Sequence, residues 1–323
     1  MGHGALGENI EAMLDPKCIR IGTRGSKLAL AQANEVAACL ADRLNKTRIE
    51  IVEITTKGDT VRNKSLSSIG GTGLFVKEIE RALLDGTVDL AVHSMKDVPT
   101  ETADGLTIAA VTKRLTPFDV LISADNKILD DLPSGARIGT SSPRRIAQLL
   151  YYRPDLEIVD ARGNLDTRIR NLEKGKYHAI VVAAAGVERL GMQNKVSEIF
   201  TTEVCVPAPG QGALAIQVRE DDKDAVKVAR KLLDHESHRQ IKAERAFLKT
   251  IGGGCNVPLG ALCRKEDDVV TLEGIVAGLD GVEVYRDFEE GAPGEEVDLG
   301  VRLAERLLDA GAGSVVASMR TEN

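Results

Sequence analysis

No apolar run in this 323-residue chain approaches the ~20 residues that a bilayer-spanning helix needs, so a membrane partner is not expected. An excess of positive charge is missing too, and a formal net charge of −7 argues against general nucleic-acid binding. The five cysteines, Cys18, Cys39, Cys205, Cys255 and Cys263, are odd in number and none forms a C-x-x-C pair. That spacing supports neither a disulfide framework nor a zinc site. His235 and His238 flank Glu236 at helical spacing without a cysteine pair beside them, which predicts an exposed helix face and no metal. The opening stretch "MGHGALGENIEAMLDPK" has no basic n-region and no apolar h-region, and its acids argue against a transit peptide. Leu6 breaks the myristoylation pattern. A cytoplasmic protein is the expectation.

What is present describes an ordinary globular chain, 43% hydrophobic and 28% charged, long enough for two or three domains. One region departs from the acidic background. Between Arg137 and Arg170 seven arginines and no lysine face four acids, a local balance of +3. Arginine in place of lysine suits bidentate recognition of carboxylate or phosphate. A solvated surface with intrachain ion pairs is the alternative.

Short β-type runs alternate with helical patterns through roughly the first 220 residues, which predicts an α/β fold with buried sheets. "CIRIGT", "IEIVEITT", "DLAVHS", "TIAAVT", "DVLISA", "ARIGTS", "LEIVDA" and "AIVVAAAG" read as strands. The helices include one capped by Ser26, one closed by Gly86, and "SPRRIAQLL" and "NLDTRIRNLEKG". "RIGTRGSKLALAQ" at Arg20 is echoed by "RIGTSSPRRIAQ" at Arg137, which suggests two similarly built α/β halves around a cleft. After Glu220 the pattern changes: helices "DAVKVARKLLDHES" and "RQIKAERAFLKTIGGG", a run of strands with a hairpin signal at 280–281, and a last helix "VDLGVRLAERLLDAG". This reads as a small α+β domain.

In α/β sheets ligands bind beyond the carboxyl ends of strands, and four such ends here are rich in polar groups. They deliver Arg24 and Ser26; Lys96 and Asp97; Ser142, Arg144 and Arg145 at a helix start; and Arg162 with Asn164. Together they predict a cleft for a multiply anionic ligand. Asp97 is a turn residue before Pro99, or a carboxylate that accepts ligand N–H groups and stabilises developing positive charge. Arg144 and Arg145 are expected to grip ligand carboxylates and to matter little for stability. Cys255 lies in "KTIGGGCNVPLG", where glycines leave room for a bulky group beside the thiol. It follows a helix C-terminus, which raises a thiol pKa, so a carrier of a covalent group is as suitable a role as a nucleophile.

With "RIGTRGSKLALAQ", "KGD" at 57–59, "GGTGLFVKEIE", "VHSMKDVPT", "GTSSPRR", "RGNLDTR", "PAPGQGA" and "ERAFLKTIGGGCNVPLG" in order, the sequence resembles the hydroxymethylbilane synthase (porphobilinogen deaminase) family over nearly its whole length. The resemblance implies a dipyrromethane cofactor held by Cys255 through a thioether. It implies that four porphobilinogen molecules are joined head to tail, each losing ammonia, to give hydroxymethylbilane. Asp97 matches the family's catalytic aspartate, with Lys96 beside it. Arg24, Ser26, Ser142, Arg144, Arg145, Arg162, Arg168 and Arg189 match positions that bind acetate and propionate side chains of cofactor and substrate. Gln32 and Gln211 also fall in family motifs. The implied architecture is two periplasmic-binding-protein-like α/β domains around a cleft plus a smaller C-terminal α+β domain with the cysteine loop. The expected boundaries are 1–112 with a returning segment about 213–232, then 113–212, then 233–323. A monomer that hands its product to uroporphyrinogen-III synthase is implied as well. Thr72 and Ser68 depart from the pattern, standing where relatives carry lysines near the cleft. The runner-up reading is a two-lobed anion-binding module without catalysis.

Overall fold

The computed structural model describes residues 18–44, 47–56, 76–252 and 257–321. Cys255, Ser68, Thr72 and the "KGD" motif lie outside them. The first sheet holds β1 (Cys18–Arg24), β2 (Arg48–Ile54), β3 (Leu90–Ser94) and β4 (Leu106–Val111), with helices α1 (Lys27–Ala41) and α2 (Lys77–Leu84). The second holds β5 (Asp119–Ser123), β6 (Arg137–Gly139), β7 (Glu157–Val159), β8 (Ala179–Ala183) and β9 (Glu198–Ile199). Its helices are α3 (Pro143–Tyr152), α4 (Leu165–Glu173) and α5 (Ala184–Arg189). Then β10 (Leu214–Arg219) returns to the first sheet, between β3 and β4.

The two sheets share one topology. The orders are β2-β1-β3-β10-β4 and β7-β6-β8-β5-β9, and in each the fourth strand runs antiparallel to its neighbours. The repeated R-I-G-T occupies equivalent strands, β1 and β6. Ile21 and Gly22 pair with Leu90 and Ala91, and Ile138 and Gly139 pair with Ala179 and Ile180. Both glycines are closely packed. A Cβ would lie 3.0 Å from Val88 at Gly22, and 2.9 Å from Ile180 at Gly139. The residue before the third strand closes each turn in the same way. Arg20 N–H donates to Asp89, and Arg137 N–H donates to His178 Nδ1, both at 2.8 Å.

The chain crosses between the lobes twice, after β4 and after β9, and the crossings run side by side. Thr112 N–H donates to Leu214 O and Leu115 N–H to Gly212 O. Gly212 has φ +99°, and a Cβ there would stand 2.6 Å from Leu115 O, so only glycine fits.

Two further helices, α6 (Lys223–Arg230) and α7 (His235–Ile251), lead into an antiparallel sheet of β11 (Leu259–Glu266), β12 (Val269–Ala277) and β13 (Val284–Gly291). Helices α8 (Glu296–Leu307) and α9 (Gly313–Thr321) follow. Phe247, Leu272, Leu299 and Leu303 centre the core of this smaller unit. The helix expected from Asp224 through Ser237 is in fact two. Asp234 caps α7, accepting from Ser237 N–H at 2.8 Å, a bond stronger than continued helix would offer it. The expected last helix does end at Gly311, where φ is +117°, and a further helix not expected from the sequence, α9, follows it. His235 is exposed as expected, His238 is half-buried, and no metal-binding cluster occurs among the described residues.

Glu244 on α7 ties the smaller unit to both crossings. Fully buried, it takes Arg114 in a bidentate pair (2.6 and 3.2 Å), Gly210 N–H at 2.7 Å and Cys263 N–H at 2.9 Å. Four donors satisfy a carboxylate that burial would otherwise penalise. No helix among the described residues is long and apolar enough to cross a membrane.

His93 on β3 gives the fold a pH dependence. Gln217 donates its amide N–H to Glu80, so its Oε1 faces His93 Nε2 at 3.0 Å and the proton sits on that nitrogen. Burial lowers this imidazole from its ordinary value to about 4, against the smaller pull of Gln217. The neutral form is the one the fold accepts. Its stabilisation is present above the unfolded value near 6.5 and is lost as pH falls toward 4, on the order of 3 kcal/mol in all. Denaturant melts between pH 7 and 4 should show this decline, and His93→Gln should flatten it. An unchanged slope in the variant contradicts the assignment.

Candidate active site

The carboxyl ends of β1, β3, β6 and β7 and the second crossing deliver the residues singled out in the sequence. Ser26 precedes α1 and its Oγ accepts from Ala29 N–H at 3.2 Å, so one orphan amide of the helix start is satisfied. Arg24, just before it, is half-buried. Gln32 lies buried on α1 and donates to Ser94 Oγ at 2.9 Å, joining that helix to the end of β3. The chain there turns through a short helical segment, Met95–Asp97, which leaves Lys96 half-buried and Asp97 exposed.

Ser142 stands at the N-cap position of α3, with Pro143 opening the helix as its fixed φ favours. Behind it Arg144 and Arg145 are each only 6% exposed, and they converge on a residue that sequence reasoning missed, Asp119, which is 0% exposed. Asp119 Oδ1 accepts from Arg145 Nε at 3.1 Å and Nη2 at 2.6 Å, and Oδ2 lies 2.8 Å from Arg144 Nη1. Arg144 also donates to Val206 O at 2.7 Å, and Arg145 to Val181 O at 3.0 Å. Burial works to raise the Asp119 pKa, but the two guanidiniums outweigh it and hold the carboxyl well below the usual range. Cys205 Sγ touches the same cluster, 3.1 Å from Arg144 and 3.4 Å from Asp119, and burial pushes its thiol up to about 12. A thiol so raised is inert.

Gln211 extends the cluster toward β3. Its amide N–H groups donate to Asp119 Oδ1 at 3.0 Å and Pro117 O at 2.6 Å, and its Oε1 accepts from Lys96 Nζ at 3.1 Å. Lys96, Gln211, Arg144 and Arg145 therefore form one connected group. Arg162, Asn164 and Arg168 gather on the segment leading into α4. Exposed Arg162 donates to Asp160 at 2.6 Å, Asn164 holds the N-cap position, and half-buried Arg168 donates to Gly163 O at 2.9 Å. Arg189, ending α5, reaches across to the other lobe, where it bonds Glu35 at 2.7 Å and Gly212 O at 3.2 Å. A second ion pair between the lobes joins Lys27 and Asp166 at 2.6 Å.

The expectation that Arg144 and Arg145 bear little on stability is corrected by their burial around Asp119. Removing one member of a buried, hydrogen-bonded ion cluster costs about 3–5 kcal/mol, whereas an exposed arginine costs at most about 1. Arg144→Leu should lower the unfolding free energy in urea by the larger amount, and a loss within the exposed range would contradict the geometry.

Comparison with known proteins agrees with this arrangement. The family description "Porphobilinogen deaminase, dipyromethane cofactor binding domain" matches residues 19–227, and "Porphobilinogen deaminase, C-terminal domain" matches 238–309. The porphobilinogen deaminase of Syntrophus aciditrophicus is 50% identical over 293 residues, covering 91% of this chain and 96% of its own. That of Pelotomaculum thermopropionicum is 47% identical over 304 residues, covering 94% and 97%. With matches that run through both lobes and the smaller C-terminal unit, the chain belongs to the porphobilinogen deaminase family.

Proposed function

We propose that Asp97 is the catalytic carboxylate, with Lys96 beside it, and that Cys255 carries the dipyrromethane. Arg24, Ser26, Ser142, Arg144, Arg145, Arg162, Asn164, Arg168 and Arg189 receive carboxylates of cofactor and substrate, with Gln32 and Gln211 in support. As a family member the chain is a transferase of tetrapyrrole biosynthesis with a dipyrromethane cofactor. It condenses four porphobilinogen molecules head to tail, with loss of ammonia, and releases hydroxymethylbilane. The reading as a non-catalytic anion-binding module gives way to that membership.

One observation carries the site assignment. Among the described residues neither Lys96 nor Arg168 has a carboxylate within ion-pair distance, although both are half-buried. Burial first, and Arg145 second, lower the pKa of both groups, Lys96 to about 8. Cations left short of counter-charge fit a ligand that brings several carboxylates, because each one restores the balance. When bound, the dipyrromethane supplies the pyrrole α-carbon that takes up the incoming unit. The protein's part is to hold and to balance charge. Asp97 is exposed at the end of its turn, open to a pyrrole N–H of the substrate. A carboxylate there offsets the positive charge that develops on the substrate as ammonia leaves. Arg189 would meet a ligand carboxylate beside the Glu35 it already pairs with. The family resemblance further supports a cytoplasmic monomer that passes its product to uroporphyrinogen-III synthase.

Asp97→Asn keeps the shape and removes the charge. It should leave the melting curve in place and slow kcat by about 100-fold or more, the scale at which one preorganised group contributes. A folded variant with near wild-type kcat contradicts the role.

A further inference from the structure

Asp119 pairs with two arginines and is linked through one amide to a lysine of the other lobe, without itself reaching the solvent. Two arms of its carboxylate take Arg144 and Arg145 on α3, in the second lobe. A third contact, through the amide of Gln211, reaches Lys96 at the end of β3 in the first lobe. Gln211 is itself buried and fixed at both ends, so its amide has one orientation: N–H groups toward Asp119 and Pro117, oxygen toward Lys96. Asp119 opens β5 directly after the first crossing, and Gln211 belongs to the second crossing. One carboxylate thus holds two cations of its own lobe directly and a third, from the first lobe, through the Gln211 amide.

We propose that Asp119 is a positioning residue for the condensation: it sets the places of Arg144, Arg145 and Lys96, and these in turn receive the ligand's carboxylates. This rests on the carboxylate-binding reading of those cations given above. The groups that act on the Lys96 amine are Arg144, Arg145, Asp97, Asp119 and the Gln211 oxygen. Both arginines oppose its proton and both acids favour it. Taking the charge from Asp119 therefore moves loss of the Lys96 proton to lower pH, a consequence that simple loosening of the core does not produce.

The test compares holoenzyme carrying Asp119→Asn and Asp119→Glu with wild type. The readouts are bound cofactor by intact mass, melting temperature, KM and kcat for porphobilinogen, and the pH profile of kcat/KM. For Asp119→Asn we expect KM to rise about tenfold or more, equivalent to about 1.4 kcal/mol, with a smaller change in kcat. The alkaline limb of the profile should move to lower pH, and Asp119→Glu should restore part of both effects. A folded, loaded Asp119→Asn with wild-type KM and an unmoved alkaline limb overturns the proposal. Should Asp119→Asn fail to fold, Gln211→Met removes the amide bridge between Asp119 and Lys96 and keeps both arginine pairs. That variant should shift the same limb downward, and an unmoved limb again overturns the proposal. Arg144→Lys and Arg145→Lys separate the two levels of the argument. If neither raises KM, the carboxylate-binding reading of the arginines fails; if they raise it and Asp119→Asn does not, the positioning role alone fails.

Discussion

A carboxylate removed from water stays ionised only where cations meet it, and Asp119 is met by Arg144 and Arg145 within 2.8 Å. Desolvation of three charges is large and unfavourable. It is offset because the arginines also donate to Val206 O and Val181 O, and the Gln211 amide donates to the carboxylate, so the cluster is a network and not an isolated pair. Its members come from β5, α3 and the second crossing, so the network ties the second lobe to the chain that leaves it. Burial first, and the nearby Arg145 second, lower the pKa of Lys96 and Arg168 around it.

The two crossings make this arrangement possible. Each lobe receives its fourth strand, β10 or β5, from chain arriving out of the other, and Glu244 pins both connections to the smaller unit. Helix α7, which carries Glu244, runs straight on to Gly252, three residues before Cys255 in sequence.

Much of this was legible in the sequence because the constraints are local. The two R-I-G-T stretches announced equivalent strands, since buried isoleucine and close-packed glycine are needed at the same place in each sheet. Ser26 and Gly86 marked helix ends by their own chemistry. What escaped is long-range. Asp119 looks like the polar edge of an apolar strand, and its partner Arg145 lies 26 residues away. The apolar run of β10 reads as a buried strand, but only pairing with Ser94 and His93 says which sheet receives it, and the family resemblance supplied that segment. Asp234 belongs in a helix by pattern and ends up capping the next one, because the capping bond competes with helix continuation.

The central claim is that the basic cleft serves a pyrrole chain anchored on Cys255, and the mass of the intact protein addresses it most directly. Wild-type protein should exceed its sequence mass by one covalently held dipyrromethane, and the excess should vanish in Cys255→Ser together with activity. A fully active wild-type protein at its bare sequence mass would contradict the account.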